Sequence, residues 1–303
     1  MIKLIVKNFL VFLLRHLPPY VSEWLGQFSS NPKALHLARE GLKNRAKDVT
    51  IRNGVATGLK FNSKYYNIKT SLGTYELPVQ QALTNYLKPG DIFYDIGANV
   101  GFFSIIAAKL VGSRGRVYAF EPSPQNAADL RHNIKINGFS NIDVIEKAVS
   151  SNSGKGKLLL ADYCGAYSLS RTNFSTTVAR DEITVELISI DDAFTSQKLL
   201  PPDVVKIDVE GAEEEVLRGM VQTIKQFQPI VIYEIDDKVR EIFERKQQQI
   251  NSILHALKYK IIFLEDSYSE IAWHVGHSVA IPEKKRSPKF GTKINYSDRC
   301  NVS

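Results

Sequence analysis

The 303-residue chain is predicted to fold as an α/β domain, doubly wound around a mostly parallel sheet. Three observations predict this. Short apolar runs alternate with helical patterns from residue 91 to residue 281, the signature of strand–helix–strand crossovers. Such crossovers are right-handed almost without exception, which leaves a doubly wound arrangement. Several of the runs also end in acids or glycines, at the strand ends where an open sheet of this kind binds its ligands.

The elements follow in order. Residues 91–96 form a first strand, then a Gly-containing turn and a helix over 101–111. Residues 115–121 are a second strand, and 124–137 a helix that stops at Asn137-Gly138. A third strand covers 142–149. Residues 155–161 and 183–190 are further strands that bracket a Ser/Thr/Asn-rich loop. A buried strand at 203–209 leads into a helix over 212–227. The strand at 229–235 and a polar helix at 238–258 come next. Residues 259–264 and 272–281 are the last two strands.

Composition narrows the function classes. With 44% hydrophobic and 23% charged residues the chain is ordinary for a globular protein, and wholesale disorder is excluded. No apolar run approaches the roughly 20 residues that span a bilayer. Two cysteines, Cys164 and Cys300, build neither a disulfide framework nor a Cys-rich zinc site. The net charge of +7 is mild for this length and selects no partner by itself. These features point to a cytoplasmic enzyme. The first fourteen residues have two readings: a helix packed against the domain, or an amphipathic helix whose Lys3 and Lys7 rest on an anionic membrane surface. Pro18-Pro19 stands where a signal peptide would place small cleavage-site residues. The run from Arg39 to Lys47 is a solvated helix face, and residues 283–303, with Lys284-Lys285-Arg286, form a polar basic tail.

The chemistry is read at the strand ends. The first strand runs into Asp95-Ile96-Gly97-Ala98-Asn99-Val100-Gly101, where glycines at 97 and 101 permit a tight turn and close approach by a ligand. A dinucleotide fingerprint needs glycine where Asn99 stands. Asp95 would repel a pyrophosphate and attract an ammonium, so S-adenosylmethionine fits the turn better. Glu121 ends the second strand about 20 residues after the turn, where a carboxylate accepts hydrogen bonds from ribose hydroxyls. Asp208, Glu210 and Glu213 straddle a strand-to-helix turn; Glu214 and Glu215 are explained by the helix dipole. Asp208 leaves an apolar strand, so capping explains it less well, and Asp208 and Glu210 are expected to face the active site. Glu234, near the end of the next strand, stands on the same rim or is a solvated strand-end acid.

Together, the segments Asp95-Ile-Gly-Ala-Asn-Val-Gly-Phe-Phe-Ser104, Phe120-Glu-Pro-Ser-Pro124, Asn133-Ile-Lys-Ile-Asn-Gly138 and Lys206-Ile-Asp-Val-Glu-Gly-Ala-Glu213 resemble the FkbM family of S-adenosylmethionine-dependent methyltransferases. The likeness runs from about residue 75 to residue 235. It implies a class I methyltransferase (Rossmann-like) fold: seven strands, the last two an antiparallel hairpin formed by 259–264 and 272–281. It also implies O-methylation of a hydroxyl on a sugar, a glycan or a glycosylated natural product. Three segments follow: a helical and basic extension at 1–70, a methyltransferase domain at 71–282 and the tail at 283–303.

On this reading Asp95, Gly97, Asn99 and Gly101 hold the methionine end of the cofactor, Glu121 its ribose, and Ala148 and Val149 border the adenine. A hydroxyl must lose its proton as it attacks, so Asp208 or Glu210, then Glu234, is the expected base. The same three acids are hard oxygen ligands suited to Mg²⁺, though their spacing does not demand a metal. His132 is structural, and surface or core placement is the commoner reading of His274 and His277. The loop at 163–171, with Tyr163, Tyr167 and Arg171, is either a lid over the acceptor or an exposed connection.

Two other functions compete. An RNA methyltransferase would suit a sequence pI near 9.2. Yet the chain lacks the Asn/Asp-Pro-Pro-aromatic turn of amino-group methylation, and its basic clusters lack interleaved stacking aromatics, so no nucleic-acid partner is expected. A catalytically idle cofactor-binding scaffold would have no physical need for Asp95 and Glu121.

Overall fold

The computed structural model describes residues 48–62, 68–161, 167–169, 179–196, 199–267 and 274–283. The expected seven-stranded sheet is present. Its strands are β3 (Ile92–Ile96), β4 (Arg116–Phe120), β5 (Ile142–Ile145), β10 (Val204–Ile207), β11 (Ile230–Asp237), β12 (Tyr259–Phe263) and β13 (His274–Pro282). They lie in the order β12-β13-β11-β10-β3-β4-β5. Every neighbouring pair is parallel except those made by β13, which runs antiparallel to both β11 and β12.

Helices cover both faces, as the alternating apolar pattern of the strands requires. Phe93, Val204, Ile230, Ile232 and Val279 point to one face, under α2 (Leu77–Tyr86) and α3 (Phe102–Val111). Their strand neighbours Tyr94, Val205, Ile207, Val231 and Tyr233 point to the other. That second face is covered by α5 (Ile190–Ser196), α6 (Glu213–Arg218), α7 (Val221–Phe227) and α8 (Arg240–Ala256). A further helix, α4 (Pro124–Asn137), starts at the Ser123 cap, whose hydroxyl accepts the Asn126 amide, and stops at Gly138 in the left-handed region.

Three features differ from the sequence reading. The strand expected over 142–149 is interrupted: Lys147 N–H turns back onto the Ile145 carbonyl at 2.8 Å, and Ala148–Val149 forms a separate strand, β6. This strand joins β7 (Gly154–Ala161), β8 (Tyr167–Leu169) and β9 (Ala179–Ile188) in a second sheet of order β6-β9-β7-β8. The helix expected over 212–227 is two helices. At Gly219 the chain passes so close to the Ser150 carbonyl that a Cβ would lie 2.1 Å from it, and the Asp191 carboxylate then accepts the amides of Gln222 and Thr223 to start α7.

The third concerns residues 48–62, where β1 (Asp48–Thr50) and β2 (Lys60–Asn62) pair antiparallel, ahead of the one-and-a-half-turn α1 (Ile68–Leu72). Ile51, Leu59 and Phe61 enter the main core. Asn133 and Asn137 of α4 accept the Asn62 and Lys60 amides at 2.9 and 2.8 Å. His132 contacts Asp48 at 2.7 Å, a structural role. The amphipathic segment at the start of the chain, the basic run at 39–47 and the tail from 284 lie outside the described residues. So do Tyr163 and Arg171 of the lid reading, while Tyr167 belongs to β8. Among the described residues no helix is long and apolar enough to cross a membrane.

Candidate active site

The pleat that sorts the core also sorts the charges. Asp95, Lys206, Asp208, Glu234 and His277 occupy alternate positions whose apolar counterparts Phe93, Val204, Ile232 and Val279 line the α2–α3 face. They form two rows. Asp95 and Lys206 are Cα partners across β3 and β10. One step further toward the strand ends, Asp208 follows β10, Glu234 lies in β11, and His277 is its Cα partner in β13.

The glycine turn after β3 comes first. Gly97 and Gly101 have φ of +80° and +85°, and Asn99 between them has φ +52°. A Cβ on Gly97 would lie 1.8 Å from the Asp208 carbonyl oxygen, so only glycine lets the turn slide past the end of β10. The amides of Gly97 and Ala98 both donate to the Phe120 carbonyl, at 3.0 and 2.9 Å, which binds the turn to the end of β4. Glu121 closes the arrangement from below. Its Oε2 accepts the Asn99 amide at 2.8 Å and its Oε1 the Ser123 amide at 2.9 Å. Burial pushes its pKa up to about 7, further than these amides pull it down. Ala148 and Val149 are also buried, but as strand β6 paired with Leu187 and Ile188 of the second sheet, because the third strand breaks at 145 rather than running through them.

Asp95 lies deeper than the mouth of the turn, 1% exposed. Ser104 donates a hydrogen bond to its Oδ2 at 2.5 Å, while its Oδ1 is buried with no hydrogen-bond partner among the described residues. Burial raises its pKa, and Lys206 opposes that rise. A buried carboxylate oxygen with no hydrogen-bond partner among the described residues, next to the Gly97–Gly101 turn, is the local arrangement a cationic, amine-bearing ligand would satisfy.

Lys206 sits among these groups, although the sequence alone assigns it no role. Its ammonium lies 2.8 Å from Asp208 Oδ2 and 4.8 Å from the centre of the Phe103 ring. Burial pulls its pKa down, but Asp208, Asp95 and Glu76 together hold it above the ordinary lysine value. The available signal was its place in Val-Val-Lys-Ile, a lysine inside an otherwise apolar strand.

The acids expected on the rim do converge. Glu210, in the left-handed region at φ +54°, is pushed well above the usual carboxylate range by burial and then by Asp236, Asp208 and Glu234. Glu213 is buried against the Gly211 amide at 2.8 Å, with its pKa pushed up to about 7 by burial. Glu214 instead pairs with Arg218 on the helix surface, and Glu215 accepts the Ser150 hydroxyl.

Glu234 is a mid-strand residue, because β11 continues to Asp237. Its Oε2 lies 2.5 Å from His277 Nε2, and Glu76, just before α2, brings Oε2 to 3.4 Å from the same nitrogen. Among the described residues these are the three whose ligand atoms lie within 4.8 Å of one another, in place of the Asp208, Glu210 and Glu234 set weighed for Mg²⁺. Glu76 gives no sequence signal beyond preceding Leu77-Pro78, and the pairing of His277 with Glu234 depends on a strand register the sequence does not state.

The strand order, the lone antiparallel strand β13 and a glycine turn at the end of β3 make up the class I methyltransferase arrangement. Within that class, residues 95–261 match the methyltransferase FkbM domain, and the chain belongs to that family. It is similar to the hexuronic acid methyltransferase AglP of Haloferax volcanii, 28% identical over 52% of this chain and 61% of that protein. It is similar also to the 31-O-demethyl-FK506 methyltransferase FkbM of Streptomyces tacrolimicus, 27% identical over 44% of this chain and 61% of that one. The 2-O-methyltransferase NoeI of Sinorhizobium fredii is 27% identical over 50% of this chain and 66% of its own. The matched stretch thus spans about three-fifths of the first and second of these relatives, 61% in each case.

Proposed function

We propose that the protein is an S-adenosylmethionine-dependent O-methyltransferase whose acceptor is a hydroxyl on a sugar, a glycan or a glycosylated small molecule. The observation that carries this reading is the buried, half-satisfied carboxylate of Asp95 beneath the Gly97–Gly101 turn, next to a rim of acids able to take a proton. Family membership supports the methyl-transfer class, and the activities for which the three relatives are named support a hydroxyl on a sugar-like or natural-product acceptor.

When bound, the cofactor supplies a methyl group on a sulfonium, an electrophile that needs alignment more than activation. The chain's own residues do the remaining work. Asp95 and the left-handed turn at 97–101 receive the amino-acid end, and Glu121 takes the ribose hydroxyls while it holds Asn99. Lys206 keeps Asp208 oriented and offsets the charge of Asp95. Asp208, Glu210 and Glu234 provide carboxylates to receive the acceptor's proton, and burial has raised the proton affinity of the last two.

Calorimetric titration with S-adenosylhomocysteine, with NAD as comparator and Asp95→Ala as control, tests the cofactor. Binding of the thioether alone, lost in the variant, is expected. Transfer of a labelled methyl group to a panel of glycosides then tests the acceptor. Well-folded protein that binds neither nucleotide would sink the reading.

A further inference from the structure

We infer that Glu234 is the group that takes the acceptor's proton, and that Glu76 and His277 are positioning residues that hold it and maintain its readiness to do so; this rests on the methyl-transfer reading above. The geometry has a direction. Glu76 and His277 have side chains only 1% and 3% exposed, whereas that of Glu234 is 15% exposed and lies within electrostatic reach of Asp208. A sealed carboxylate, an imidazole and a more open carboxylate therefore run from the interior toward the surface. Both carboxylates address the same ring nitrogen, Nε2, while Nδ1 lies 3.4 Å from the Ser267 hydroxyl.

Charge counting gives the arrangement its chemistry. An imidazolium between two carboxylates carries one net negative charge, so the trio accepts one further proton. With Glu234 alone beside it, the imidazolium would quench that carboxylate as a base. The second carboxylate restores its proton affinity. The remaining groups facing Glu234 come from several elements. Asp208, at the end of β10, and Glu210, in the next turn, act on it directly, while Lys206 of β10 pairs with Asp208, and Asp236, two residues on in β11, acts on Glu210 and accepts Lys246 of α8. The balance leaves His277 raised to about 10, since the two carboxylates outweigh the effect of burial, and Glu234 raised to about 8 by burial and then Asp208, against the pull of His277.

The transfer step balances. The acceptor's O–H bond breaks as its oxygen bonds to the methyl carbon, the proton passes to Glu234, and the departing thioether is neutral. One positive and one negative charge disappear together.

The deciding measurement is a pH titration of histidine-labelled protein by NMR, with the His277 signal assigned by its loss in His277→Gln. His277 is expected to stay doubly protonated beyond pH 9 in the native protein. Its midpoint should fall by at least one pH unit in Glu76→Gln and again in Glu234→Gln. A native His277 already neutral at pH 8, or a midpoint unmoved in both variants, overturns the inference. The second readout is the acid limb of the pH–rate profile for methyl transfer. It should move to lower pH in Glu76→Gln and to higher pH in His277→Gln, where a merely structural cluster would change stability and leave the limb in place. Calorimetry with S-adenosylhomocysteine separates the two levels: absent binding in native protein removes the methyl-transfer reading, while retained binding with a normal His277 removes only this inference.

Discussion

Replacing Gly97 with alanine should cost more stability than the same change at Gly101, and the difference follows from what each new Cβ meets. Both residues have φ near +80°, so each substitution incurs the left-handed penalty of about 1–2 kcal/mol. At Gly101 the new carbon would lie 2.0 Å from Leu130 Cδ1, the far end of a flexible side chain that can change rotamer. At Gly97 it would lie 1.8 Å from the Asp208 carbonyl oxygen and 2.8 Å from its carbonyl carbon. The main chain there must retreat by more than an ångström, and the Asp208 amide is itself held to the Ile96 carbonyl at 3.0 Å. Losing that hydrogen bond and shifting Asp208 from Lys206 adds roughly 2 kcal/mol beyond the shared penalty. Urea denaturation with a slope of about 3 kcal/mol per molar would show this as a midpoint about 0.7 M lower for Gly97→Ala than for Gly101→Ala. Equal midpoints, or a lower one for Gly101→Ala at unchanged slope, would refute the reasoning. Gly97→Ala should also abolish S-adenosylhomocysteine binding, because Asp208 and the turn move together.

Three further outcomes are expected. Lys206→Met, close in shape but uncharged, leaves Asp95 and Asp208 without their shared cation and should lower the unfolding free energy by about 3–5 kcal/mol in the same denaturation assay. Thermal stability should decline from pH 6 to pH 8.5. Glu121, Glu213 and Glu234 have folded-state pKa values raised to about 7, 7 and 8, so their contribution is complete below the ordinary carboxylate range and is lost as pH rises through those values. Of the roughly 3 kcal/mol that Glu121 contributes over its whole titration, about 1.4 kcal/mol is lost between pH 6 and pH 8.5, and a flat calorimetric profile over that range would contradict its burial away from water. Asn133→Ala removes the acceptor of the Asn62 amide and the donor to the Val100 carbonyl, and should cost about 2–3 kcal/mol by chemical denaturation.

Much of this architecture was legible because strand ends and helix stops are local. Asp95-Ile-Gly at the end of β3, Ser123-Pro124 opening α4 and Asn137-Gly138 closing it are each written within a few residues. Where the chain departed from the sequence reading, a distant partner decided. The break at Gly219 depends on the Ser150 carbonyl and the Asp191 carboxylate, and the interruption after Ile145 depends on β9 offering a second sheet to Ala148 and Val149. The site divides in the same way. Asp95, Gly97, Glu121, Asp208 and Glu210 follow from motif and position. Glu234 was legible as an acid on the rim, but its ion pair with His277 comes from the register of an antiparallel pair, and Glu76 reaches the same nitrogen from an irregular turn before α2.

The place of β13 has a consequence for how the molecule is made. In sequence it follows β12, yet in space it is wedged between β12 and β11. Until residues 274–282 have been synthesised and delivered, β11 and β12 each present a bare edge, and the sheet consists of two unjoined parts. A nascent chain thus completes its Gly97–Gly101 turn well before its sheet can close, and during that interval it carries the open hydrogen-bonding edges that chaperones and neighbouring chains recognise. Polypeptides that terminate near residue 261 should accumulate as insoluble or rapidly degraded material even though the entire family-matching segment is present.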